Sequence, residues 1–312
     1  MRIGAVLLLV AGPAWAEVNG AAILAQRPPK DLAEFGFFDG NAPAAGVVPY
    51  VIAAPLFSDH ADKDRFIYTP APATGEGLPA FPVGAAIIKT FRYGDHKVET
   101  RVLLHQAAGW NGYAYVWQEG AARLALAGAD LMVETERGTI AYHVPNANQC
   151  KACHVGADDA LTPIGPKLRN LNVGDQLAVL AAAGVIADVP ADAPATADYR
   201  DASLPTDIRA RAYLDANCGH CHAPGLPGDT SGLYLNLEET DPLRLGVMKR
   251  PVAAGKGAGH LQFDVVPGDP EASILLYRML SLDPGAMMPE IGRSTVDAEG
   301  AELVRAWIAE ME

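Results

Sequence analysis

The clearest patterning lies between Ala85 and Val144, where short apolar runs alternate with turn residues: Ile87 to Tyr93, Val98 to Leu104, Tyr113 to Trp117 and Thr139 to Val144. Runs of this length, rich in β-branched and aromatic side chains, predict strands. The breaks at Tyr93-Gly94-Asp95, Asn111-Gly112 and Arg137-Gly138 carry turn chemistry, so the segment reads as an antiparallel β module. Before it, residues 17 to 82 hold many prolines and aromatics without a sustained helical period, and predict a loop-rich wrap. Beyond it, residues 187 to 205 are dense in Ala, Asp and Pro and read as a linker. Helical spacing follows. Thr206 is placed to cap a helix carrying Ile208, Ala212 and Ala216, and Leu303, Val304, Trp307, Ile308 and Met311 form the stripe of a terminal helix starting near Asp297.

Composition narrows the class. At 312 residues and 50% hydrophobic, the chain is long enough for two or three packed modules. Residues 1–16 combine Arg2, a short apolar run and the small-x-small site Ala14-Trp15-Ala16, the pattern of a cleaved secretory signal. The run is too short to span a bilayer, so a periplasmic chain with no transmembrane anchor in its mature form is expected. A formal charge of −13 argues against nucleic acid as a partner, and mildly for a basic docking partner.

All four cysteines are used in two copies of Cys-x-x-Cys-His: Cys150, Cys153 and His154, then Cys218, Cys221 and His222. At this spacing two thiols on one turn can add to the two vinyl groups of a haem while the adjacent histidine ligates the iron. A four-cysteine zinc site and a pair of thioredoxin-like disulfides are the competing readings, but neither explains a histidine after each pair. Two covalent haems c are therefore the expected cofactors. Lys249, Arg250 and Lys256 are candidate partners for haem propionates. The aromatic residues Trp110, Tyr113, Tyr115 and Trp117 read as core of the β module before they read as a substrate platform.

Thr162-Pro163-Ile164-Gly165-Pro166-Lys167-Leu168, downstream of the first motif, resembles the Gly-Pro-x-Leu segment of class I cytochromes c. The resemblance implies that the Pro166 carbonyl accepts a hydrogen bond from His154. The second motif, its preceding helix, the closing helix and the loop Gly285-Ala286-Met287-Met288-Pro289 resemble the same family more fully. There the resemblance implies Met288 as the axial ligand of the second haem, with Met287 as the fallback. The chain as a whole resembles a group of exported bacterial dihaem cytochromes, on Pro49 to Asp59, Phe81-Pro82-Val83-Gly84, Gln149 to His154, Ile164 to Asn172 and Val266 to Pro270.

The first haem lacks a nearby sixth ligand, since no methionine lies between Met132 and Met248 and no histidine between His154 and His220. His60, His96, His105 and His143 are the candidates, with Met132 and Met248 behind them. The expected fold class is α+β, a loop-rich antiparallel β module followed by two mainly helical cytochrome c-like haem modules. The expected divisions are 1–16 signal, 17–145 β module, 146–204 first haem module and 205–312 second haem domain. The leading expectation for function is electron transfer between redox donor and acceptor proteins. A dihaem enzyme, peroxidase-like or acting on another small molecule at an open first haem, is the alternative, and a docking or sensor subunit is a third.

Overall fold

The computed structural model describes residues 17–156, 158–252 and 255–312. The signal expected at residues 1–16 lies outside the described residues.

Among the described residues ten strands precede the first cysteine motif: β1 (Phe38–Asp39), β2 (Ala42–Pro43), β3 (Val47–Pro49), β4 (Asp62–Tyr68), β5 (Ala86–Tyr93), β6 (His96–Gln106), β7 (Gly109–Gln118), β8 (Ala121–Leu124), β9 (Ala129–Thr135) and β10 (Gly138–Val144). β3 to β8 form one antiparallel sheet in sequence order, while β1 pairs with β2 and β9 with β10. The helices are short: α1 (Gly20–Leu24), α2 (Ala147–His154), α3 (Leu168–Leu171), α4 (Gln176–Ala182), α5 (Thr206–Leu214), α6 (Ile274–Leu280) and α7 (Ala298–Ala309). This corrects the expected fold class. The six-stranded sheet dominates, and the two motif-bearing regions are not mainly helical modules, because most of the chain from 219 to 273 runs in turns and single 3-10 turns.

Each face of the sheet has its own task, as alternation along a strand requires. Ile88, Val102, Leu104 and Tyr115 are buried with Ile23, Phe35 and Phe37 of the N-terminal wrap. Tyr113 and Trp117 pack against this core and Trp110 packs against a second one, while Tyr113 also lines a cavity. On the other face Lys63, Arg65, Ile87, Lys89, Arg101, Leu103 and Gly112 wall a cavity. The expected break at Asn111-Gly112 falls inside β7, and the actual turn is at Ala107-Ala108. Gly112 serves a close approach instead: a Cβ there would lie 3.3 Å from Cys150 Cβ and 3.2 Å from Leu103.

α5 begins at Thr206 after Pro205, so Thr206 is its first residue and not its cap; its hydroxyl donates to Glu310 at 2.9 Å. The expected stripe is displaced as well. Ile208 is exposed, and Ala210, Tyr213 and Leu214 pack on Ala301, Val304, Trp307 and Ile308 of α7. Asp297 caps α7 by accepting from Gly300 N. Gly300 permits the crossing, since any Cβ there would run into the Tyr213 ring.

The strap Pro49 to Asp59 ties these parts together. Ala53 N and Ala54 N donate to the carbonyl and side chain of Asn170, both at 2.9 Å, and Phe57 N donates to Asn217 Oδ1 at 2.8 Å. The Asp59 carboxylate accepts from Ser294 N, Thr295 N and Thr295 Oγ1 at 2.7–2.9 Å. The Pro55 carbonyl receives Tyr199 from the 187–205 stretch at 2.8 Å.

Candidate functional site

Both cysteine motifs open onto one cavity of 1200 Å³, walled by the sheet, α2, the 163–170 loop, the turns around Cys218 and the 285–293 loop. A pocket for one cofactor-sized molecule usually holds about 300–1,000 Å³. This one is larger.

Asn146 caps α2 in a reciprocal capping box with Gln149, placing Cys150, Cys153 and His154 on the helix. The helix stops at His154 and the chain doubles back through the Val155–Leu161 bridge. The return brings the Thr162 carbonyl to 2.9 Å from His154 Nδ1. This corrects the expected Pro166 partner: Pro166 lines the cavity, but the ring donates to Thr162. In the second motif α5 passes into a wider π-type turn, Asp215–Gly219, which carries Cys218. His222 Nδ1 donates to the Leu233 carbonyl at 3.2 Å, with Ser231 Oγ 3.3 Å away. In both motifs the carbonyl fixes Nδ1 as the protonated nitrogen and leaves Nε2 as the basic one. Gly228 gives the second ring its room, because a Cβ there would stand 3.0 Å from His222 Nδ1.

The four thiols are free. Burial pushes Cys218 and Cys221 up to about 12 and raises Cys150 and Cys153, so all four are thiols and not thiolates at neutral pH. Cys153 is close enough to Cys221 to add to its rise. Burial likewise lowers His154 to about 3, and lowers His222, keeping both rings neutral. Among the described residues no group of three or more His, Cys, Asp or Glu is placed to hold a bare metal ion, so the cysteines are not gathered as a zinc site requires.

Met288 lines the same cavity, with its N–H donating to the Arg278 carbonyl and its own carbonyl accepting from Arg293, each at 3.0 Å. Met287 is buried away from the cavity. Of the candidate sixth ligands for the first motif only His143 reaches the cavity wall, and its nitrogens are taken by Asp130 at 2.6 Å and Gln149 at 3.1 Å. His105 stacks on Trp110 and its Nδ1 donates to the Phe81 carbonyl, and His96 is exposed at a hairpin turn. His60 packs edge-on to Phe57 outside the lining, and Met132 (72% exposed) and Met248 lie on the surface.

One cavity residue escaped the sequence reading. His220, between the cysteines of the second motif, is only 9% exposed, and its Nδ1 has no hydrogen-bond partner among the described residues. Burial lowers it to about 4, helped by Lys167 and His222; the nearby Ala216 carbonyl acts the other way without an aligned bond. It is also close enough to depress His154. The signal available in the sequence was its position between the paired cysteines of the second motif. The propionate candidates are largely committed elsewhere. Lys249 pairs with Asp264 at 2.9 Å, Lys256 with Asp283 at 2.6 Å, and Arg250 lies over Phe263.

No family model, no curated protein and no solved structure matches the chain. Among the described residues no helix is long and apolar enough to cross a membrane.

Proposed function

We propose that the chain is an exported dihaem c-type protein that carries electrons between a donor and an acceptor through two covalently held haems. One observation carries the proposal: both Cys-x-x-Cys-His motifs line a single cavity, each with its histidine Nδ1 on a backbone carbonyl and its Nε2 free. Cys150 and Cys153 would hold one haem and Cys218 and Cys221 the other, with His154 and His222 as proximal ligands. When bound, each haem supplies one-electron chemistry at iron.

The chain's own residues set the conditions. The carbonyls of Thr162 and Leu233 make the proximal rings better donors. Met288, a soft thioether held by its backbone between Arg278 and Arg293, is the sixth ligand proposed for the second haem. For the first haem we place that role on His220, the buried cavity histidine with an unpartnered nitrogen.

The test is the visible spectrum of protein purified from a host able to mature c-type haem, reduced with dithionite, before and after carbon monoxide. Two haems per chain with low-spin bands untouched by the gas support the relay. A carbonyl spectrum at one haem of the unmodified protein moves the assignment to the enzyme alternative, and a colourless protein overturns both. In the His220→Ala variant one haem is expected to bind the gas, and added imidazole to block it.

A further inference from the structure

The sheet wall carries a feature that the relay does not use. Arg65 pairs directly across strands with Lys89, and Lys89 with Arg101, so three cations stand abreast on β4, β5 and β6. Lys63, two residues before Arg65 on β4, shares their face. All four line the cavity. Like charges directly opposite one another on neighbouring strands are destabilising, and a cation withdrawn from water is costly unless it is paired.

The partners present do not balance this row. Glu99 takes Arg101 at 2.6 and 2.9 Å, and its other bond is from Tyr142 at 2.7 Å. Lys63 donates to the Leu56 carbonyl at 2.7 Å and Arg65 to the Lys63 carbonyl at 3.1 Å, both neutral acceptors. Lys89 has no hydrogen-bond or ion-pair partner among the described residues and sits 5.0 Å over the Phe91 ring. The other nearby carboxylates are engaged elsewhere: Asp64 with Arg92, Asp59 with Ser294 and Thr295, and Asp297 with Tyr213 and Gly300. The strain registers as a depressed basicity, with burial and mutual repulsion taking Lys63 down to about 7 and Lys89 well below its ordinary value. The row also lies beside the first motif, since Lys89 and Arg101 both act on Cys150 and Cys153.

We propose that Arg65, Lys89 and Arg101, with Lys63, form an anion site inside the cavity that receives a carboxylate or small oxyanion next to the first Cys-x-x-Cys-His motif. A one-signed wall inside a cleft of low dielectric concentrates such ions, and arginine presents the planar fork that carboxylates and oxyanions fit. Two sources share this chemistry: a free oxyanion that diffuses in, and a haem propionate. Only the second rests on the function proposed above.

The experiment uses the haem-loaded protein, its Lys89→Met and Arg65→Gln variants, titration calorimetry with inorganic phosphate, and redox titration of both haems. A free-anion site binds phosphate in the parent protein, and each variant weakens that binding by about tenfold or more, as expected for losing one charge-assisted contact. A propionate site shows no phosphate binding, and Lys89→Met lowers the midpoint potential of one haem while haem content stays at two per chain. The proposal is overturned if phosphate does not bind and neither variant moves a potential. Arg65→Gln keeps the test open should Lys89→Met fail to fold. If the chain takes up no haem, the relay fails, while phosphate binding to the haem-free chain still decides the free-anion source.

Discussion

Arg169 Nη2 reaches both carboxylate oxygens of Asp215 at 2.8 Å, joining the helix after the first motif to the turn that delivers Cys218. Both side chains are largely buried, and Asp215 also accepts from Leu237 N at 3.0 Å. The pair therefore ties one motif to the other, with Lys167 a more distant participant at 3.7 Å and Glu238 holding the other arm of Arg169 at 2.5 Å.

Asp215→Ala leaves the largely buried Arg169 with the exposed Glu238 as its remaining charged partner and removes the acceptor of Leu237 N, so a loss of about 1–3 kcal/mol is expected. Chemical denaturation measures it, and Arg169→Met combined with Asp215→Leu is expected to recover much of the loss.

The carbonyl that steadies His154 belongs to Thr162, so Pro166→Ala is expected to leave the spectrum and potential of the first haem unchanged. A shift of the first haem alone would restore Pro166 as the partner.

Each cysteine pair is expected to hold its own haem. Replacing Cys150 and Cys153 by serine should reduce covalent haem from two per chain to one, measured as pyridine haemochrome after denaturation, and the same change at Cys218 and Cys221 should do likewise. Met288→His in the loaded protein is expected to lower one midpoint potential and leave the other in place, because imidazole favours the ferric state more than a thioether does.

Gly300→Ala tests the crossing of α5 and α7. The added methyl meets the Tyr213 ring, so a loss of about 1–3 kcal/mol is expected in equilibrium unfolding. Tyr213→Leu in the same chain should relieve part of it.

Lys63 gives stability a pH dependence. Its folded pKa is lowered to about 7, chiefly by burial and then by Arg65 and Arg101, whereas the unfolded chain keeps the ordinary value of 10.5. Between these values the unfolded state holds more protons, so the contribution of Lys63 to stability rises with pH across the window and is least below it. Unfolding free energies at pH 7 and 9 in a low-anion buffer should show the rise in the parent protein and a flatter response in Lys63→Met.

The two motifs were legible from residue spacing and Met288 from the resemblance of its loop, and all of them line one cavity. Much of the fold was not. β4 reads Asp62-Lys63-Asp64-Arg65-Phe66-Ile67-Tyr68, and because its cavity-facing positions include cations, the apolar alternation that signals a strand is cancelled. Asn111-Gly112 carries turn chemistry, yet the glycine is there for Cys150 to pack against the sheet. The expected helical haem modules rested on the short helices beside the motifs. Between them the chain is held by backbone and side-chain hydrogen bonds with no periodic signature. The Thr162 carbonyl was invisible for a related reason: a backbone acceptor leaves no mark on residue identity.

The strap also sets an order of events. Asp59 closes onto Ser294 and Thr295, partners 235 and 236 positions later in the chain, so a segment made early cannot be satisfied until nearly all of the protein has emerged. Contacts of such long sequence separation are slow to form. Closing the strap onto Ser294 and Thr295 is therefore expected among the last acts of folding.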